Sequence, residues 1–218
     1  MNDEQARRTT SAGFTLLELL AVILIIGILS TVLITQLYGT QKAAYVSLTG
    51  ARLKTLQIVF NQYAGEYGDV PPSSFTQEQG VPNDGENVGI EACVVALFSN
   101  GWEAGGLLQD DFRSNSDGDS STSQLTDFGN KNLLEFEDLW NNPIAYIHHR
   151  DYGIDNRAYL TWDEADVEVR SFPKAYKDPL TGRYFRHDSF QLISAGPNGV
   201  FDDPADSEGD DIFNFDRR

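Results

Sequence analysis

Cysteine is nearly absent from this chain, because Cys93 is the only one among 218 residues. A single thiol cannot form an intrachain disulfide, so some other device must hold the C-terminal end of the fold. Cys93 stands among valine and alanine residues, and this setting favours packing over a role as a nucleophile. Neither His148 nor His187 lies in a segment with the signature of a nucleophile elbow or a catalytic triad. The sequence therefore predicts a protein that is not an enzyme.

Basic residues are also scarce. The chain has 16 Lys and Arg against 33 Asp and Glu, and its formal net charge is −17. Proteins that bind nucleic acids need clustered positive charge to neutralise the phosphates. We therefore expect no nucleic-acid partner.

Charge of either sign is missing from one long stretch near the N-terminus. Residues 19–41 form an uncharged run of 23 residues. As a helix this run is about 35 Å long, enough to span a hydrocarbon core of about 30 Å. An ordinary secretory signal is cleaved after its apolar region, next to small residues. Here the small residues Ala12 and Gly13 come before the apolar run, so the segment does not match such a signal. One interpretation is a signal anchor that tethers a periplasmic domain.

The residues in front of this run follow a specific order. A polar leader with Arg7 and Arg8 precedes Gly13 and Phe14, and Glu18 follows four residues later. A charged side chain inside a membrane span costs roughly 2.5–3.5 kcal/mol, so Glu18 needs a partner or a function. The pattern resembles the class III signal of type IV prepilins and of the pseudopilins of type II secretion. The resemblance implies cleavage by prepilin peptidase between Gly13 and Phe14, N-methylation of Phe14, and a role for Glu18 in assembly.

An amphipathic segment continues the apolar run. Its apolar positions recur three or four residues apart, at Leu53, Leu56, Phe60 and Tyr63. Stop signals follow at Gly65 and Gly68, so we predict one helix from Phe14 to about Ala64. Proteins of the resembled family usually carry a proline where this chain has Thr35. The sequence leaves open whether the helix unwinds on assembly.

Two segments in the middle of the chain have contrasting patterns. Residues 89–98 are compact and apolar, which predicts a second helix after a loop that contains Pro71 and Pro72. Residues 114–121 are polar but lack the first and last ligands of an EF-hand. This favours a surface loop and leaves a cation site as the alternative.

A turn and a strand are expected further along. Asn142 and Pro143 predict a turn into an alternating strand that reaches His148. Successive side chains of a strand point to opposite faces, so His148 and His149 are not expected to bind one ion together. Residues 139–147 also resemble a segment of the major pseudopilins.

The C-terminal region combines a strand with an acidic loop. Residues 190–194 alternate as a strand, and Asn198 and Gly199 follow in a turn. Six acidic residues lie between Asp202 and Asp211, and their charges repel one another unless they are solvated or bound to a cation. Taken alone, this pattern is typical of a solvated acidic tail. Oxygen ligands in a flexible loop also suit Ca²⁺.

The residue order of this loop resembles the calcium loop of the major pseudopilins of type II secretion. The resemblance implies one Ca²⁺ held by the carbonyl of Ala195 and the side chains of Asn198, Asp210 and Asp211. Asn198 is neutral where the family has an aspartate. The missing charge can come from Asp202, Asp203 or Asp206.

These segments together predict an α+β, pilin-like fold. A long N-terminal helix, with a membrane-spanning first half, packs on a small antiparallel sheet with a C-terminal calcium-type loop. The predicted boundaries are residues 1–13 for the leader peptide, 14–40 for the transmembrane and filament-core helix, and 41–218 for the periplasmic domain. That domain includes the second half of the long helix.

The function implied by the resemblance is structural. The protein is expected in the inner membrane as a single-pass subunit that polymerises into a periplasmic pseudopilus. Its implied partners are prepilin peptidase, further copies of itself, minor pseudopilins and the inner-membrane assembly platform. The alternative is a subunit of a type IV pilus at the cell surface, serving adhesion or twitching.

Overall fold

The computed structural model describes residues 14–82, 85–99, 113–206 and 209–217. The predicted leader, and with it the cleavage residue Gly13, lies outside the described residues. The chain divides into two compact units, Met1–Ala43 and Ala44–Arg218. The domain boundaries that the sequence predicts after residues 13 and 40 stay predictions.

Helix α1 runs over Leu16–Tyr67 and contains 52 residues. It confirms the predicted long helix, with both ends a few residues further along the chain. By length and composition, α1 is the one helix among the described residues that can cross a membrane. Its leucine and isoleucine side chains in the first unit are exposed in the single chain. So extended an apolar surface needs lipid or neighbouring helices around it.

In the second unit, α1 is amphipathic and its apolar stripe faces the core. Leu53, Leu56 and Phe60 are completely buried. Gly68 follows the helix with a φ of 82°, and its N–H donates to the carbonyl of Ala64 over 2.9 Å. A glycine in this left-handed conformation is a common helix terminator because it has no Cβ to clash.

Helix α2, Val88–Phe98, confirms the second predicted helix. This helix packs tightly on the sheet region at Gly89, where a Cβ would lie 2.6 Å from the Tyr159 hydroxyl and 2.8 Å from the Tyr146 carbonyl oxygen. The absence of a side chain at this position leaves room for the Tyr159 hydroxyl, which accepts a hydrogen bond from the Tyr146 N–H at 2.9 Å.

The described residues contain seven short strands, all paired antiparallel. They are β1 (Arg113–Ser114), β2 (Glu135–Phe136), β3 (Ala145–His148), β4 (Tyr159–Trp162), β5 (Glu168–Ser171), β6 (Phe190–Ser194) and β7 (Ile212–Phe213). These strands form three sheets, ordered β1-β2, β3-β6-β7 and β4-β5. The central strand β6 pairs Phe190 with His148 and Ile193 with Phe213.

Every residue of β3 and β6 is buried, so the alternating sequence does not separate a buried face from an exposed one. Both faces are covered. On one face, the Phe60 ring of α1 lies 5.2 Å from Tyr146 and 5.1 Å from Phe190. On the other face, the Gln191 amide exchanges hydrogen bonds with the backbone of Tyr176 at 2.8 and 2.9 Å.

The expectation that His148 and His149 face opposite ways is wrong. Their rings stack with centroids 4.3 Å apart. Strand β3 ends at His148, and a 3₁₀ turn over His149–Asp151 begins at the next residue. The alternation of side chains therefore stops between the two histidines. Apart from this detail, the predicted α+β, pilin-like fold is confirmed.

Candidate functional site

The first turn of α1 holds the predicted assembly residue in a capping box. The Thr15 N–H and hydroxyl donate to Glu18 Oε2 at 2.8 and 2.9 Å, and the Glu18 N–H donates to the Thr15 hydroxyl at 3.2 Å. This reciprocal arrangement satisfies N–H groups that have no partner inside the helix. It places a carboxylate at the positive end of the helix dipole, close to Phe14, which is 84% exposed. The processing and assembly roles of Gly13, Phe14 and Glu18 stay predictions.

The two ends of the C-terminal acidic loop meet beside a short turn. Strand β6 ends at Ser194, and a 3₁₀ turn over Gly196–Asn198 follows the buried Ala195. Gly196 has a φ of 65°, and a Cβ at this position would clash with the backbone carbonyl of Asp210. The carbonyl of Asp210 therefore packs directly on the turn that starts the loop.

A second contact closes the loop between Asp202 and Asp211. The Asp202 N–H donates to Asp211 Oδ2 at 3.2 Å, and the Asp211 N–H donates to Asp202 Oδ2 at 3.1 Å. The Tyr176 hydroxyl also donates to Asp211 Oδ2, at 3.0 Å. Burial, assisted by the nearby charge of Asp202, raises the pKa of Asp211 to about 7.

The other oxygen of Asp211 is the feature that fits a cation. Asp211 is 8% exposed, and its Oδ1 atom is buried without a hydrogen-bond partner among the described residues. A buried carboxylate oxygen in this state is costly unless a proton or a cation compensates for it. Carboxylates, amide oxygens and backbone carbonyls are the ligands that Ca²⁺ accepts. The donor types of this loop therefore suit Ca²⁺, and the assignment of Ala195, Asn198, Asp210 and Asp211 as its ligands stays a prediction.

Comparison with known proteins identifies the N-terminal segment. Residues 8–34 match the family model of the prokaryotic N-terminal methylation motif. This range covers the predicted cleavage site, the capping box and the first part of α1. The match supports a prepilin-type, type IV pilin-like protein. The motif indicates a subunit that is processed by prepilin peptidase and assembles as pilins do. No curated protein and no solved structure gives a significant match to the chain.

The structure also contains a cluster of acidic residues outside the C-terminal loop, with two members buried and one partly buried. Glu91, Asp117 and Glu135 each place one carboxylate oxygen within 4.8 Å of the others. The Asn87 amide donates to Glu135 Oε1 and to Asp117 Oδ2, both at 2.9 Å. The segment 114–121 is thus more than the surface loop that its sequence favours, because it closes on α2 and β2.

Glu135 is the most enclosed member of this cluster. Its side chain is completely buried, Oε1 accepts from the Ser116 hydroxyl at 2.9 Å, and Oε2 accepts from the Ser116 N–H at 3.0 Å. Burial and the neighbouring Asp117 raise the pKa of Glu135 to about 8. The folded state therefore favours a proton in this cluster.

A third group consists of Asp69, His148 and His149. His148 Nδ1 accepts a hydrogen bond from the Arg150 N–H at 3.1 Å, so the ring proton is on Nε2, the nitrogen that lies 3.6 Å from Asp69. A protonated nitrogen cannot bind a metal. The Arg150 guanidinium already neutralises Asp69 at 2.5 Å. Burial and His149 lower the pKa of His148, which keeps the ring neutral.

Two residues in these sites were not predicted from the sequence, Thr15 and Glu135. Thr15 carried a usable signal, because Thr-x-x-Glu at a helix start is a capping-box pattern. Glu135 carried no signal, since its partners Asn87 and Asp117 are 48 and 18 positions away in the sequence. The described residues contain two groups of three side chains whose potential metal-ligand atoms lie close together, one around Glu135 and one around His148. Neither group includes a residue of the C-terminal loop.

Proposed function

We propose that this pilin-like protein is the structural subunit of a type II secretion pseudopilus and has no catalytic role. The observation that carries the proposal is the match to the methylation motif at the start of a helix that can span a membrane. Subunits are anchored in the inner membrane with the globular unit in the periplasm. After cleavage and methylation at Phe14 they leave the membrane and stack into a filament.

The exposed apolar part of α1 supplies the filament core. Removing this surface from lipid is favourable only if neighbouring helices cover it, because exposed leucine and isoleucine side chains are unfavourable in water. Glu18 fixes the register of neighbouring subunits, since its carboxylate neutralises the α-amino group of Phe14 in the adjacent copy. In a single subunit, the Thr15 capping box holds this carboxylate in place at the first turn.

Secretion is favoured over adhesion by the C-terminal end of the chain. Adhesive pilins often secure this end with two cysteines, whereas the one cysteine here is buried in the core. We propose that the loop of residues 195–211 binds one Ca²⁺, which takes the place of the disulfide. Binding to the folded state alone stabilises it by about 2.7 kcal/mol at a hundredfold excess of Ca²⁺ over Kd. Mg²⁺ substitutes poorly because it demands a small octahedron and dehydrates reluctantly.

The assembly step is tested with two substitutions in α1. Glu18→Ala removes the carboxylate at the first turn, and Glu66→Ala removes the other acidic residue of the helix as a matched control. Both variants are expected to insert and to be cleaved before Phe14, as read by mass spectrometry. Filaments recovered from the periplasm after the outer membrane is opened should be scarce for Glu18→Ala and normal for Glu66→Ala. Normal filament yield from Glu18→Ala would contradict the proposed register.

Partners distinguish a pseudopilus from a pilus. Deleting this subunit is expected to leave exported enzymes in the periplasm, and cross-linking should capture minor pseudopilins and the inner-membrane platform. Loss of twitching or adhesion with normal secretion would instead identify a type IV pilus subunit.

A further inference from the structure

The side chain of Asn198 is turned toward its own backbone. Its Oδ1 atom accepts a hydrogen bond from the Val200 N–H at 2.6 Å, which closes an Asx turn. Gly199 directly after it has a φ of 70°, and a Cβ there would clash with the Trp162 carbonyl. The turn is therefore fixed by its packing on Trp162, and rotating Asn198 toward a cation would break the hydrogen bond from the Val200 N–H.

Asp202 is the acidic side chain that faces Asp211. Each residue donates its N–H to the other's carboxylate, so the two carboxylates are neighbours on one side of the loop. The Asp202 carboxylate also packs on Gly209, where a Cβ would clash with it. Asp202 is thus held against the acidic end of the loop from two directions.

The first half of the loop has two further acidic residues, Asp203 and Asp206. Asp203 is exposed, and its carboxylate binds Lys174 Nζ at 3.0 Å and accepts from the Ala205 N–H at 2.9 Å. Asp206 is exposed as well, and its N–H donates to the Asp203 carbonyl at 2.8 Å. The Asp203 carboxylate is therefore engaged by Lys174 and Ala205 rather than by Asp211.

The geometry points to Asp202 and Asp211 as the two anionic side-chain ligands of the loop's Ca²⁺, with Asn198 contributing no ligand. The buried Oδ1 of Asp211, which has no hydrogen-bond partner among the described residues, supplies one of these oxygens. The Asp210 carbonyl packs on Gly196, so a backbone oxygen also lies where the two ends of the loop meet. This inference rests on the proposed calcium binding. It assigns to Asp202 the negative charge that an aspartate of the resembled family supplies at the position of Asn198.

The test compares neighbouring substitutions in the full processed chain, purified in detergent and freed of metal by chelation. Asp202→Asn keeps an oxygen for the Asp211 N–H but removes the charge, and Asp203→Asn makes the same change on the adjacent exposed residue. Calorimetric titration with CaCl₂ gives Kd, and melting in chelator checks that each variant is folded. Because ligand charge sets affinity, Asp202→Asn is expected to weaken Kd by about tenfold or more.

The remaining variants separate the possible failures. Asp203→Asn is expected to change Kd by less than about fivefold, because it removes only an exposed ion pair. Asn198→Ala is expected to bind as tightly as the wild type. Weaker binding by Asn198→Ala with unchanged binding by Asp202→Asn overturns the inference while calcium binding stands. No heat of binding and no Ca²⁺-dependent melting shift in the wild type overturns both, and the filament role is then judged separately by the Glu18→Ala assay.

Discussion

Replacing Glu135 by the uncharged glutamine is expected to raise the free energy of unfolding, and this gain should grow as the pH rises. Glu135 is completely buried beside Asp117, and its pKa is raised from 4.5 to about 8. The folded state therefore prefers the protonated carboxyl. Stability linked to this group is fully present below pH 4.5 and is lost as the pH rises through the folded pKa near 8. Glutamine imitates the protonated carboxyl and does not titrate.

The size of the effect follows from the pKa difference. One pH unit between the unfolded and folded pKa corresponds to about 1.4 kcal/mol. Full ionisation of Glu135 therefore costs about 5 kcal/mol, a large part of the roughly 5–15 kcal/mol that stabilises a typical domain. Asp138, whose pKa burial raises to about 6, contributes with the same sign, but it is present in both proteins and cancels in their difference.

Urea unfolding followed by tryptophan fluorescence measures the effect, with the full chain in detergent and chelator present throughout. The free energy of unfolding of Glu135→Gln minus that of the wild type should rise by about 1.4 kcal/mol per pH unit between pH 5 and 8 and then level off. Glu137→Gln is the control, since Glu137 is only partly buried and two positions away. A difference for Glu135→Gln that is flat with pH, or falls, refutes the reasoning.

Three further predictions follow from the sequence and the core. Gly89→Ala should lower the free energy of unfolding by about 1–3 kcal/mol, because its Cβ would lie 2.6 Å from the Tyr159 hydroxyl. The control is Gly65→Ala on α1, where a Cβ would meet no neighbour, and it should raise the free energy of unfolding by up to about 1 kcal/mol. If urea unfolding shows the same change for both substitutions, the tight packing at Gly89 is contradicted. Cys93 is buried with a raised pKa, so thiol reagents should label it only on unfolding, and rapid native labelling would show an open core. Gly13→Leu should leave the leader attached in mass spectra, and normal cleavage would exclude a need for a small residue there.

The elements that the sequence predicts well are those set by local patterns. Helix α1 is specified by an uncharged run followed by an apolar stripe at three- and four-residue spacing, and both signals lie within a few turns of each other. Helix α2 and strand β6 are short apolar segments bounded by turn residues. The methylation motif is likewise continuous in the sequence, which is why processing could be predicted and then supported by the match to residues 8–34.

The features that the sequence does not predict depend on contacts between distant segments. Strand β3 is buried on both sides because α1 covers one face and the segment around Tyr176 covers the other. Glu135 meets Asn87 across 48 positions and Asp117 across 18. No periodicity encodes such pairings, so an acidic residue in a polar stretch is interpreted as solvated until the fold brings it inside.

Asp138 limits how far structural loosening can spread from the C-terminal loop when the proposed cation is removed. This aspartate is completely buried, and its Oδ2 atom accepts a hydrogen bond from the Ser194 hydroxyl at 2.7 Å. The same hydroxyl accepts from the Gly196 N–H at 3.1 Å, so the start of the loop is tied to Asp138. Arg52 of α1 donates to the Asp138 carbonyl at 3.1 Å. These bonds involve no loop carboxylate. Removing the proposed cation should therefore loosen residues 199–206 and 209–210 while the packing of β6 against α1 persists.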